Sequence, residues 1–153
     1  MKFKKILSIK DIENLEIQEF KKRGNSFSLM KNAGTAAAQV ILKLIKKQPI
    51  IVVCGPGNNG GDGFILAEYF RKKDYEIDVF CLHKKNYKGD ALKALNQLHI
   101  ERKSILDLKI KKKSIVIDCL FGTGISRKIS GFFRKVIFKI NNCLLYTSDA
   151  ADE

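Results

Sequence analysis

One stretch limits the possible folds more than any other. The wholly apolar run Ile50–Cys54 is followed at once by Gly55-Pro56-Gly57-Asn58-Asn59-Gly60, and then by the helix-compatible Asp62–Lys73. Five consecutive apolar residues have no polar face, so a strand made of them is buried on both sides, as in a parallel sheet covered by helices. The loop matches GxGxxG between a strand and a helix. Glycines in such a turn permit positive φ and let backbone N–H groups approach a phosphate, and the dipole of the first helical turn adds to the pull on an anion.

The alternation continues downstream. Glu76–Leu82 reads as a second strand, Asp90–Leu98 as a second helix, Ile100–Arg102 as a minor third strand, Ser114–Asp118 as a fourth and Phe132–Ile140 as a last helix. Two helices precede the sheet. Ser8-Ile9-Lys10-Asp11 has the form of a capping start, and Ile12, Leu15, Ile17 and Phe20 give a partly helical spacing up to Gly24. The next helix begins near Ser26 or Ser28 and ends before Pro49, with a predicted stripe of Leu29, Ala33, Ala36, Ala37, Val40, Ile41, Leu44 and Ile45. The fold class expected is α/β, a parallel sheet with helices on both faces.

A chain of 153 residues suits one domain, and its 45% hydrophobic and 29% charged content is that of a globular protein. The net charge of +13 raises a nucleic-acid reading. The lysines are scattered over every segment, however, with no nucleic-acid motif beside them, so no nucleic-acid partner is expected. No apolar run approaches the ~20 residues of a membrane span, so no membrane partner and a cytoplasmic location are expected. Cys54, Cys81, Cys119 and Cys143 lie far apart without a CxxC pair, and read as buried thiols rather than as a zinc or disulfide framework.

A dinucleotide dehydrogenase wants an acid closing the second strand to hold the ribose hydroxyls. Here that strand ends Phe80-Cys81-Leu82-His83-Lys84-Lys85, and Glu76 and Asp78 come too early. A standard NAD-dependent oxidoreductase is therefore disfavoured. A second loop, Ile117 to Lys128 (IDCLFGTGISRK), puts Asp118 at the carboxyl end of the fourth strand, with Gly-Thr-Gly and Arg127 beyond it. In a 3-2-1-4 strand order, both glycine loops line the crevice at the topological switch point. Asp62 also reads as a helix N-cap, and Asn58 and Asn59 as turn residues tolerant of left-handed φ. Asp118, ending an apolar strand, reads as a site residue. Beside a bound diphosphate it would be repelled by roughly 4 kcal/mol per close charge pair at an effective dielectric near 20. A cation held by Asp118 and an asparagine amide oxygen relieves that conflict.

GPGNNGGDG, IDCLFGTGISR and the upstream LMKNAG (Leu29 to Gly34) together resemble the NAD(P)HX epimerase family, the YjeF N-terminal domain. The resemblance implies a Rossmann-like three-layer α/β/α sandwich with a mostly parallel sheet and two N-terminal helices. The family is frequently dimeric, and its domain is sometimes fused to a dehydratase. A homodimer and a fused or separate dehydratase are thus the partners it suggests. The activity implied is epimerisation of the R and S forms of hydrated NADH and NADPH in nicotinamide cofactor repair. Asn58, Asn59, Gly60, Gly61 and Asp62 would bind the substrate, with Gly122, Thr123, Gly124, Ile125, Ser126, Arg127 and Lys128 as a second substrate loop. Asn59 and Asp118 would ligate a potassium ion.

Two departures stand out. Lys31 occupies a place where the family usually has an acid. The family's DIPSG segment, a source of another potassium ligand and of the expected catalytic aspartate, should follow Asn141 and is absent. The last eleven residues, CLLYTSDAADE, contain no Lys or Arg and resemble translated sequencing adaptor. The expected organisation is therefore a partial domain over residues 1–142, lacking its C-terminal strands, and a non-native tail over 143–153. The catalytic residue stays unknown, with Asp62 as a fallback, and the chain itself is expected to be an inactive fragment. The alternative is a non-catalytic nucleotide-binding or protein-interaction module of the same fold. The choice between hydrated NADH and NADPH is left open: Lys84 and Lys85 would suit a 2′-phosphate or a plain solvated surface.

Overall fold

A computed structural model describes Ser8, Lys10, Asp11, Asn14, Leu15, Ile17, Gln18, Lys21, residues 25–123, Ile125 and residues 128–148, the last five for their backbone only. Among the described residues, four strands, β1 (Ile50–Cys54), β2 (Ile77–Cys81), β3 (Arg102–Ser104) and β4 (Ile115–Cys119), form one sheet in the order β3-β2-β1-β4. Every pairing is parallel, with Val52 opposite Val79 on one side and Ile117 on the other. The helices are α1 (Ser26–Leu44), α2 (Asn58–Arg71), α3 (Gly89–Asn96) and α4 (Gly131–Ser148).

Period-two alternation divides the core into two layers. Ile50, Val52, Cys54, Val79, Cys81 and Cys119 face α1, α2 and α3, where Phe64, Phe70, Met30 and Leu95 meet them. Ile51, Val53 and Phe80 face the other way, against Val136 and Ile140 of α4 and Ile105 and Leu108. This is the α/β/α sandwich expected. All five residues of β1 are buried, as its lack of a polar face requires.

The helix boundaries follow local chemistry where that chemistry is strong. Ser8 and Asp11 form a reciprocal cap: Asp11 N–H donates to Ser8 Oγ at 3.1 Å, and Ser8 N–H donates to Asp11 Oδ2 at 3.0 Å. The described residues from Lys10 to Lys21 are helical. Ile12 and Phe20 of the predicted stripe, and Gly24, lie outside the described residues. Asn25 caps α1, accepting from Phe27 N–H at 3.0 Å.

Four sequence expectations need correcting. The buried stripe of α1 is Phe27, Met30, Gly34 and Ala38, not the predicted one, and Val40 and Leu44 are 58% and 78% exposed. Gly34 sets the rotation: a Cβ there would lie 2.7 Å from Asp62 O and Ile65 Cβ, so this face alone lets α1 close on α2. Second, α2 starts at Asn58, four residues before the predicted Asp62. Third, β3 is shifted two residues, from Ile100–Arg102 to Arg102–Ser104, and all three of its residues are exposed. Arg102 and Lys103 are the kind of cations that blunt a sheet edge. Fourth, α4 runs on from the predicted end at Ile140 to Ser148, across the compositional break after Asn142. β4 forms the opposite edge, and no described strand pairs with its outer side.

Glu68 ties α2 to the turn before β3. It accepts from Arg71 Nε and Nη2 at 3.0 and 2.7 Å, and from His99 N–H at 3.1 Å. The Arg71 hydrogen bond, with smaller help from His99, lowers its carboxyl from 4.5 to about 2 against the opposing effect of burial. A depressed carboxyl stabilises the fold fully above the unfolded value, and that stability is lost as pH falls from about 4.5 through about 2. Glu68→Gln should therefore cost about 1–2 kcal/mol at pH 7, discounted for solvent screening, and only a small remainder at pH 2, where the carboxyl is about half protonated. Urea titrations at the two pH values measure the difference.

Candidate functional site

The two glycine loops meet at the carboxyl ends of β1 and β4, the neighbouring strands whose crossovers diverge. Gly55 N–H donates to Cys119 O at 3.0 Å, extending the strand pairing by one residue. A Cβ on Gly55 would fall 1.8 Å from Leu120 O, and one on Gly60 would fall 1.9 Å from Gly55 O. These glycines exist because backbone touches backbone. The expected positive φ is not found here: among the described residues the left-handed glycines are Gly89 and Gly131.

Asn58 and Asn59 are helical, in the first turn of α2, so neither is a left-handed turn residue. Gly57 is the N-cap and supplies no side-chain cap. The first intrahelical bond is Gly61 N–H to Gly57 O at 3.2 Å, which leaves the N–H groups of Asn58, Asn59 and Gly60 as first-turn donors without an intrahelical acceptor. Asp62 sits in the second turn, half-buried, and is not the cap; it has partners of its own. Gly61 is buried against Met30.

Asn59 joins the loops. Its Nδ2 donates to Phe121 O at 3.0 Å, and a Cβ on Gly122 would lie 3.8 Å from its Oδ1. Asp118 is exposed, and its Oδ1 accepts from Leu120 N–H at 2.9 Å, fixing the turn that leaves β4. Asn59 and Asp118 thus hold the short segment Leu120–Phe121 from its two ends. Between them lies Cys119, whose thiol is pushed up to about 12, first by burial and then by the charges of Asp118 and Asp62. Thr123, Ile125 and Lys128 are exposed beyond Gly122, while Gly124, Ser126 and Arg127 lie outside the described residues.

One contributor was not predicted. Tyr87, 2% exposed, donates its hydroxyl to Cys54 O at 3.1 Å and accepts from Leu82 N–H at 3.1 Å. It clasps the carboxyl ends of β1 and β2 where their chains part. Nothing in Lys84–Asp90 marked it, because both of its partners are main-chain groups, and the one on β1 is 33 residues away. The three strand-end thiols Cys54, Cys81 and Cys119 are buried as expected, and burial raises all three, whereas Cys143, on α4, is only half-buried.

Residues 26–148 match the family described as YjeF-related protein N-terminus. The NAD(P)H-hydrate epimerase of Elusimicrobium minutum is 31% identical over 88% of this chain and 66% of its own length. That of Rhodopirellula baltica is 29% identical over 87% of this chain and 57% of its own. The bifunctional NAD(P)H-hydrate repair enzyme Nnr of Thermofilum pendens is 33% identical over 90% of this chain and 29% of its own. The chain therefore spans between about a third and two thirds of these relatives. In structure it is similar to yeast ynu0, with a TM-score of 0.69 at 23% identity, over 90% of this chain and 65% of that one. Among the described residues, no helix is long and apolar enough to cross a membrane.

Proposed function

Because the chain belongs to the family of YjeF-related protein N-termini, we propose that its site serves the interconversion of the R and S forms of hydrated NADH and NADPH, the repair reaction for which its relatives are named. The observation that carries the reading is the junction of the two loops. An uncapped helix N-terminus and the Asp118 strand end are stitched together by the Asn59–Phe121 hydrogen bond at the switch point of a parallel sheet.

Each group present has a part in binding. The first-turn N–H groups of Asn58, Asn59 and Gly60 take the diphosphate. Thr123, exposed beyond Gly122, would meet the substrate from the β4 side. The amide oxygen of Asn59 and the carboxylate of Asp118 form an all-oxygen donor set with a single negative charge, which suits a weakly charged, oxygen-preferring cation such as potassium. That ion would screen Asp118 from the diphosphate.

Epimerisation requires the ring hydroxyl to leave and water to return to the opposite face. Departure leaves a cationic ring that a nearby carboxylate stabilises. Asp62, in the second turn of α2, is the carboxylate of the glycine loop and the fallback for this role. The family's main acid is assigned to a DIPSG segment, so the present residues account for holding the substrate rather than for turnover. The bifunctional relatives make a fused or separate dehydratase the natural partner, acting on the epimer this site would supply. A homodimer and a cytoplasmic location belong to the same reading.

The experiment is a titration with hydrated NADH and NADPH by calorimetry, in potassium and in tetramethylammonium buffers, with proton NMR following the two epimers. Binding strengthened about tenfold by potassium is expected, with epimer exchange only in a protein that carries a DIPSG segment after residue 141. Binding equal in the two buffers would remove the cation from the reading, and no binding in either would remove the reading itself.

A further inference from the structure

The carboxyl edge of the sheet carries a second feature, beyond the glycine loops. A cleft of ≈ 270 Å³ opens at the ends of β2 and β3, and its walls include His83, Lys84, Arg102, Lys103 and Ser104 without a carboxylate among them. Lys103 is neutralised by Asp78, 2.7 Å away. Lys84 and Arg102 have no carboxylate within ion-pair distance among the described residues, unlike Arg71, Lys93, Lys103 and Lys111, which are all paired. The same two cations also line the adjoining ≈ 430 Å³ cleft, where Glu101 is the one acid of the wall. They therefore stand on the ridge between two depressions rather than on an open face. Ser104 Oγ accepts from Leu106 N–H at 3.3 Å, which leaves its proton free to donate.

Topology relates this cleft to the site. Strands are spaced about 4.8 Å apart, so the ends of β4, β1, β2 and β3 lie in a row about 14 Å long. With a diphosphate at the N-terminus of α2, above β1, and the reacting ring toward the β4 loop, the adenosine half extends over β2 and β3. The Tyr87 clasp fixes the β1-to-β2 step of that row. In dinucleotide-binding sheets an acid at the end of β2 holds a free ribose hydroxyl, and an arginine nearby accommodates a phosphate in its place. Here the end of β2 offers His83 and Lys84, and β3 offers Arg102.

We infer that this cleft is a subsite for a phosphate monoester on the adenosine ribose, held by Lys84 and Arg102, so that the site prefers hydrated NADPH to hydrated NADH. This rests on the reading of the site as one for a hydrated nicotinamide dinucleotide. Lys85, though adjacent in sequence, does not line the cleft.

Calorimetric titration of the full chain with adenosine 2′,5′-bisphosphate and with AMP tests it. The bisphosphate should bind about tenfold more tightly, the increment of one charge-assisted contact. In the Lys84→Gln/Arg102→Gln double variant the ratio should fall to near unity, with the melting temperature serving as the check on folding. A control that removes the same charge elsewhere, Lys43→Gln/Lys139→Gln, should keep the ratio. The inference is overturned by equal binding of the two nucleotides, by a ratio that survives in the double variant, or by a ratio that falls as far in the control. Titration with the two hydrated dinucleotides separates the readings. Equal affinity for both sinks the subsite and leaves the epimerase reading standing. Binding of neither, with the bisphosphate preference intact, sinks the epimerase reading and leaves the subsite.

Discussion

Gly55→Ala is expected to lower the melting temperature by about 10 °C or more, the result of losing about 4 kcal/mol in a domain of this size. The new methyl would sit 1.8 Å from the carbonyl oxygen of Leu120. No rotamer change relieves that contact, because both atoms belong to the immediate backbone of their loops. Either β1 and β4 part at their carboxyl ends, breaking the Gly55–Cys119 hydrogen bond, or the β4 loop moves by more than 1 Å and strips Asn59 of its partner. Gly57→Ala is the matched control. Nothing lies within 4 Å of a Cβ there, and φ is −95°, so the cost should be at most about 1 kcal/mol, that of alanine replacing glycine at an N-cap. Thermal melts of the two variants side by side decide the matter: similar losses would mean that the close approach is not what Gly55 is for.

Asn59→Ala is expected to weaken binding of the hydrated dinucleotides about 100-fold and to flatten the potassium dependence. The substitution removes an amide oxygen from the proposed ion site and the loop-to-loop hydrogen bond at once, and contacts to charged groups contribute about 1.5–3 kcal/mol each. The two effects are separable. In potassium-free buffer without ligand, only the bond to Phe121 is lost, costing about 1 kcal/mol of stability. Asp118→Asn keeps that bond and the turn to Leu120 but removes the charge. It should therefore flatten the potassium response while leaving the ligand-free melting temperature nearly unchanged. A potassium response that persists in both variants would place the ion elsewhere.

The residues differ in how far their positions were visible in advance. Ile50–Cys54 was legible to the residue, because a run without a polar face has one kind of home. Ser114–Asp118 was legible to within one position, and the 3-2-1-4 order on which the shared crevice was conditioned is the order found. That order brought Asn59 and Asp118 to one edge before any coordinate was known. The start of α2 was misplaced because Asn58-Asn59-Gly60-Gly61 has poor intrinsic helix propensity, each glycine costing about 1 kcal/mol against alanine. The contacts that outweigh this cost, with Gly55, Met30 and Cys119, come from other parts of the chain. The face of α1 was misread for a related reason. Val40 and Leu44 are larger and more apolar than Gly34, yet the smallest residue set the contact, since close approach buries more than bulk held at a distance.

The linear pattern settled which segments become strands and helices, that the strands run parallel, and that polar side chains gather beyond their carboxyl ends. Those features depend on periodicity and on sign of charge, which neighbouring residues carry among themselves. Packing alone decided where α2 begins, which side of α1 is buried, that Tyr87 clasps two strands, and that Lys84 and Arg102 share a cleft. Each of these is a contact between groups far apart in the chain, and its energy exists only once the intervening backbone has folded to bring them within a few ångströms.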